Sequence, residues 1–221
     1  MKILIDVLIS IFLVALGYVA VCYYFNQKKW NSKDVISLKF SKNKIIYLAG
    51  TVIATIVMIV VLNAVYELEL LSQVKLLTLV LMIFPISAVD YRVQKIPNQF
   101  IVTALALRLL IYVVEIIVSP KRAGITFIDN LLGAFIISLF FLLLLVIFKN
   151  SVGMGDVKLF FVMGMYQGLW GVVNSVFFSL FVSFVLSVGL LITKKKQKTD
   201  TISFGPSILL GTIIGICLSG M

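Results

Sequence analysis

Six ionisable side chains stand within or at the edges of long apolar runs: Asp6, Asp90, Arg108, Glu115, Asp129 and Asp156. An ionisable group at membrane depth is costly and calls for a partner or a function. Arg108 and Glu115 lie two helical turns apart on one face, which reads as a buried structural ion pair, direct or through a neighbour. Asp6 and Asp129 fall near outer helix ends, where water or capping suffices. Asp90 and Asp156 remain. Two carboxylates brought close share one proton and can hydrolyse a peptide bond: the ionised member takes a proton from water, and the protonated member donates to the scissile carbonyl.

Each of the two also has a plainer reading. Asp156 follows Gly153-Met154-Gly155 and precedes Val157-Lys158 at the start of an apolar run, where an aspartate can serve as a simple N-cap. The glycines there permit positive φ or a close approach of another chain. Asp90 precedes Tyr91-Arg92-Val93-Gln94-Lys95-Ile96-Pro97-Asn98 and can pair with Arg92 or Lys158. Pro97 stops helical continuation and holds the chain extended, and Asn98 is placed to N-cap the next helix.

The elements that must position these residues are set by composition. Of 221 residues, 62% are hydrophobic and 13% charged, against about half and a quarter in soluble domains. The apolar runs are 3–25, 45–65, 74–91, 99–118, 125–148, 157–170, 172–192 and 204–220, most near the ~20 residues that cross hydrocarbon. The fold class is therefore all-α, a polytopic membrane helix bundle of about eight transmembrane helices. The first run is longer than a signal-peptide core and lacks an A-x-A site, so it reads as a retained helix. Run 157–192, taken as one helix, would extend about 54 Å, so a break is expected near Gly168 and Gly171. Gly164 with Gly168, and Gly211 with Gly215, have the small-xxx-small spacing of close helix packing.

Loop charge orients the bundle. The net charge of +10 comes from lysines gathered in short loops, which fits an anionic membrane surface and not nucleic acid. With both termini outside, Lys28, Lys29, Lys33, Lys39, Lys42, Lys44, Arg92, Lys95, Lys149, Lys158, Lys194, Lys195, Lys196 and Lys198 all fall inside. Lys2, Lys75, Lys121 and Arg122 fall outside, and Arg108 lies within the fourth helix. Two crossings separate Asp90 from Asp156, so both stand at the inner face. The chain contains no histidine, which removes Ser-His-Asp, Cys-His and His-ligated metal chemistry. Cys22 and Cys217 are isolated, so neither a disulfide framework nor a cysteine zinc site is expected.

Taken together, Asp90 with Ile96-Pro97-Asn98 and Gly153-Met154-Gly155-Asp156-Val157-Lys158 strongly resemble the type IV prepilin peptidases. Ile202-Ser203-Phe204-Gly205-Pro206 is similar to that family's late I-P-F-G-P motif, with Ser203 where a proline is usual. The resemblance covers residues 73–221, a six-helix GxGD aspartyl peptidase core; residues 1–72 supply two further helices and a short basic loop. It implies an intramembrane aspartyl protease of a prokaryotic cytoplasmic membrane. Such a protease cuts the short basic leader from prepilins or pseudopilins at the cytoplasmic face, after a residue that is usually glycine. By motif position Asp90 and Asp156 inherit the catalytic aspartates and Gly153 and Gly155 the active-site loop, while Lys158, Pro97 and Asn98 match motif positions. Bifunctional members also methylate the new N-terminus through a long insert with paired CxxC motifs that bind zinc. The 26–44 loop here has no cysteine, so peptidase activity alone is expected, with no cofactor and no metal.

Two other classes fit part of the pattern. A proton-coupled carrier or assembly factor would also hold intramembrane acids, but near the bilayer midplane and between repeat-related halves. A Ser-Lys peptidase would use Ser151 with Lys149 or Lys158, and would be inactivated by Ser151→Ala and not by Asp156→Asn.

Overall fold

A computed structural model describes residues 42–147, 153–192 and 203–220, together with helical positions between 7 and 17. Asp6, Cys22, Lys149, Ser151, Ile202, the loop lysines from Lys28 to Lys39 and the Lys194–Lys198 cluster lie outside the described residues. The described chain is helical: α1 (Lys42–Ala64), α2 (Leu70–Val93), α3 (Asn98–Val118), α4 (Pro120–Ile147), α5 (Met154–Ile192) and α6 (Gly205–Ser219). Four of these, α2 to α5, are long and apolar enough to cross a membrane, and Ala49–Ala64 and Gly205–Ser219 are shorter apolar helices. The all-helical membrane architecture expected from the apolar runs is what the chain adopts. Helix ends differ from the run ends by a few residues: Pro120 opens α4 ahead of its apolar stretch, at a position where its missing N–H costs nothing.

Helix α2 is the centre of the bundle. Of its most apolar 18-residue stretch 67% is buried by protein, against 17–22% for the corresponding stretches of the other three long helices. Its mean hydropathy of 1.9 is the lowest of the four, because a helix shielded by neighbours need not match lipid. Gln73, Thr78, Ser87 and Asp90 are accordingly all buried along it. By contrast α3, α4 and the second half of α5 expose large apolar side chains such as Leu110, Phe135, Phe140, Phe177 and Phe184, as helices facing lipid do.

The break expected in the long run near residue 168 is present. Gly168 has φ 73° and ψ −173°, which divides α5 into α5a, ahead of it, and α5b, after it. That backbone region belongs to glycine. The break also packs tightly: a Cβ on Gly133 of α4 would collide with the Gly168 carbonyl and the Leu169 nitrogen, and one on Gly164 would collide with the Ala134 backbone. The paired glycines of α6 act in the same way, Gly211 against Ser179 and Gly215 against Ser175 of α5b. Backbone, not a flexible side chain, blocks the space at Gly164. Gly164→Ala is therefore expected to cost about 3 kcal/mol or more by separating α4 from α5. The check is thermal unfolding in detergent, where the variant should lose far more stability than Gly189→Ala, whose added Cβ meets nothing within 4 Å.

Candidate active site

Asp90 lies in the last turn of α2, and its carbonyl accepts the N–H of the helix-ending Gln94 at 2.8 Å. Gln94 adopts the left-handed conformation (φ 52°), and the chain then turns through extended Pro97 (φ −71°, ψ 133°) into α3. α3 and α4 make two crossings, and α5a begins at Met154 with Asp156 in its first turn. The C-terminal end of α2 and the N-terminal ends of α3, α5a and α6 therefore meet at one rim of the bundle. Asp156 is brought to the Asp90 side of the rim by its neighbours, Gly155 against Ile96 and Phe160 against Phe204.

Four contacts hold this rim together, and the first three each join two of the segments singled out in the sequence. The Gly205 N–H, at the start of α6, donates to Asp90 Oδ2 at 2.8 Å. A Cβ on Gly155 would stand 2.9 Å from the Cβ of Ile96, so glycine there admits the Ile96-Pro97 turn. Lys158 Nζ donates to Asn98 Oδ1 at 2.9 Å. Phe204 rests edge-on against Phe160 of α5a with ring centroids 6.0 Å apart, which seats the start of α6 on the helix that carries Asp156.

The plainer readings of the two acids separate at this point. Asp156 does act on its own helix start: its Oδ2 accepts the Gly153 N–H at 3.1 Å, and its N–H donates to the Gly153 carbonyl at 3.0 Å. An acid in the first turn that reaches back to the capping residue's amide forms half of a capping box. One carboxylate oxygen suffices for it. Asp90, 5% exposed, is the more deeply buried acid. Among the described residues neither Arg92 nor Lys158 forms a salt bridge with it; the two ion pairs there are Arg108–Glu115 and Arg122–Glu69.

Three expectations need correction or extension. Asn98 does not cap α3: Pro97 is the flanking residue, Asn98 is the first helical one, and no side-chain cap bond forms, because the Asn98 oxygen is engaged by Lys158. Gly153 and Gly155 do not use positive φ, which among the described glycines occurs at Gly168 and Gly220; Gly155 serves close approach instead. Asp129 does cap a helix, although not its own. Its Oδ1 accepts the Leu169 N–H at 3.3 Å, across from α4 at the break in α5. The Arg108–Glu115 pair is present at 3.0 Å, with side chains 2% and 12% exposed.

The residue that sequence reasoning left without a role is Gly205. Its motif match and its place at an inner helix edge were both visible. What could not be read is that its amide points at a carboxylate 115 positions earlier in the chain.

The long apolar helices define the class as a helical membrane protein, with Asp90 and Asp156 at one rim of the bundle. The chain belongs to the type IV leader peptidase family, which matches residues 76–192. That span includes Asp90, the Ile96-Pro97-Asn98 turn and the Gly153–Lys158 segment, and it makes the protein a peptidase of the membrane. No curated protein and no solved structure matches the chain.

Proposed function

We propose that Asp90 and Asp156 are the catalytic pair of an intramembrane aspartyl endopeptidase that removes the basic leader of type IV prepilins or pseudopilins at the cytoplasmic face. The observation that carries this reading is the convergence at one rim of Asp90, Asp156 and Gly205, from three helices distant in the chain. Loop charge supports the cytoplasmic side. Arg92 and Lys95 follow Asp90 at this rim, whereas the Arg122–Glu69 pair lies at the opposite end, beside the starts of α2 and α4.

Water bound between the two carboxylates is the nucleophile. The ionised aspartate takes its proton as the oxygen attacks the scissile carbonyl carbon, and the protonated aspartate donates to the carbonyl oxygen. Collapse of the tetrahedral intermediate breaks the C–N bond, with a proton passed to the leaving amine. The leaving amine is the N-terminus of the pilin's hydrophobic helix, and the leader departs as a carboxylic acid. The two groups titrate as one unit.

A shared proton fixes the form of the pH profile. Activity falls on the acid side as the ionised member is protonated and on the alkaline side as the shared proton is lost, giving a bell for kcat/KM. A rate that stays flat from acid to alkaline pH contradicts a dyad. The test of substrate class is co-expression of the chain with a prepilin whose leader is short, basic and ends in glycine. A faster-migrating product whose new N-terminus follows that glycine is expected; a prepilin that stays full length at normal levels of the protease contradicts the assignment.

A further inference from the structure

Asp156 is borne by a helix fragment, not by a full transmembrane helix. α5a runs from Met154 to the break at Gly168, about 14 residues and roughly 21 Å. Its last carbonyls lose their helical partners at the break, inside the protein, and must be satisfied from elsewhere. Helix α3 supplies the partners. Arg108, 2% exposed, donates from Nε to the Met165 carbonyl at 2.7 Å and from Nη2 to Glu115 at 3.0 Å. Tyr166, fully buried, donates its hydroxyl to the Ala104 carbonyl at 2.8 Å. The guanidinium also lies 5.9 Å from the Tyr166 ring centroid.

These bonds have a directional consequence. A cation at the negative end of a helix is favourable, and Glu115, on the same helix as Arg108, balances its charge. The far side of the break is held from a different helix, through Asp129 and the Leu169 amide. α5a is thus tied to α3 separately from α5b. At the other end the Lys158–Asn98 bond joins the same two helices. α3 and α5a run parallel, and three polar bonds along them admit one axial register.

Register matters here because Asp90 is fixed by other means, on α2 and by the Gly205 amide of α6. A slip of α5a by one residue would move Asp156 by about 1.5 Å and turn it by about 100°. A 1 Å misplacement of a reacting group can cost about 100-fold in rate. We propose that Arg108 and Tyr166 are positioning residues, which set Asp156 against Asp90 by fixing the register of α5a on α3. The inference rests on the dyad reading above.

Tyr166→Phe removes only the hydroxyl and keeps the buried ring, so it tests register without emptying the core. With purified protein in micelles and a prepilin of the kind described above, kcat is expected to fall about tenfold with KM within about twofold of wild type. Arg108→Lys keeps the charge but cannot span Met165 and Glu115 together, and should lie between wild type and Arg108→Met in kcat. Ser187→Ala is the control: it removes a half-buried hydroxyl, on α5b, bonded within its own helix to the Ser183 carbonyl at 2.7 Å, and should leave kcat unchanged. Wild-type kcat in Tyr166→Phe overturns the proposal. So does a rise in KM at constant kcat, which would make Tyr166 a substrate contact, and so does an equal loss in Ser187→Ala, which would indicate general loosening. Asp156→Asn in the same assay separates the two layers. If it is inactive while Tyr166→Phe is normal, positioning alone fails; if it cleaves normally, the dyad fails and positioning with it.

Discussion

Asp90→Asn and Asp156→Asn are each expected to lower the rate of prepilin cleavage by about 1,000-fold or more while the protein remains folded in the membrane. Asparagine keeps the shape of the side chain and an acceptor oxygen. At Asp90 that oxygen can still take the Gly205 N–H, and at Asp156 it can still take the Gly153 N–H. The cap and the helix junction therefore survive. What is lost is proton exchange, and a positioned acid or base contributes about 100- to 10,000-fold. Loss of one member also strands the other in a single protonation state, so the double variant should be scarcely slower than either single one. The measurement is single-turnover cleavage of a prepilin by each variant in micelles. Additive losses in the double variant would mean that the two acids do not act as a unit.

The second large effect is expected at Gly205, a residue with no side chain to take part in chemistry. A Cβ there would stand 2.9 Å from both the Cβ and Oδ2 of Asp90 and 3.2 Å from the Ser87 Cα. The Ser87 backbone cannot rotate away, so α6 must retreat from α2, or Asp90 must swing. Either movement lengthens or breaks the 2.8 Å bond to the Gly205 amide. Gly205→Ala is expected to lower kcat by about 100-fold, the scale of a 1 Å error at a reacting group. Its stability should suffer less than that of Gly164→Ala, because the clash lies at the rim and not across a helix crossing. Thermal unfolding should therefore show the smaller loss for Gly205→Ala, although cleavage falls in both. Normal cleavage by Gly205→Ala would show that the amide contact does not place Asp90.

How much of this was legible in the sequence depended on the kind of signal. Apolar run length fixed the helix class and placed α2 to α6 to within a few residues, because crossing hydrocarbon imposes a length that no other constraint relaxes. The same arithmetic exposed the break at Gly168: a run of 36 residues was too long to be one crossing. Arg108 with Glu115 was readable because helical spacing alone puts them on one face. Contacts between distant segments were not. Nothing local to Asp129 says that it caps α5b, since the amide it serves is freed by a break in another helix. Asn98 looked like a cap because its neighbours are those of a cap, but the helix takes it as its first residue and Lys158 engages its oxygen. The motif around Gly205 was recognisable as a motif, yet its chemistry is a backbone amide, which every residue but proline owns. Sequence reported that the position mattered and could not report why.

The two acids had the opposite history. Each looked ordinary alone, as a cap or as one half of an ion pair, and Asp156 does serve its own helix start. Parity of crossings puts them on one side of the membrane, and the rim contacts join the segments that carry them. The proposed catalytic role is compatible with the structural one, since a first-turn acid is held in place by its capping bond. Preorganisation of that kind is what a dyad needs.

The most direct test of the central claim is a mass spectrum of a prepilin after incubation with the Asp156→Asn protein reconstituted in liposomes, beside the wild-type protein. The dyad predicts that wild type yields a pilin lighter by the whole leader, with a new N-terminus after the leader's last residue, while Asp156→Asn leaves the full-length mass. The same lighter product appearing at the wild-type rate with Asp156→Asn would contradict it.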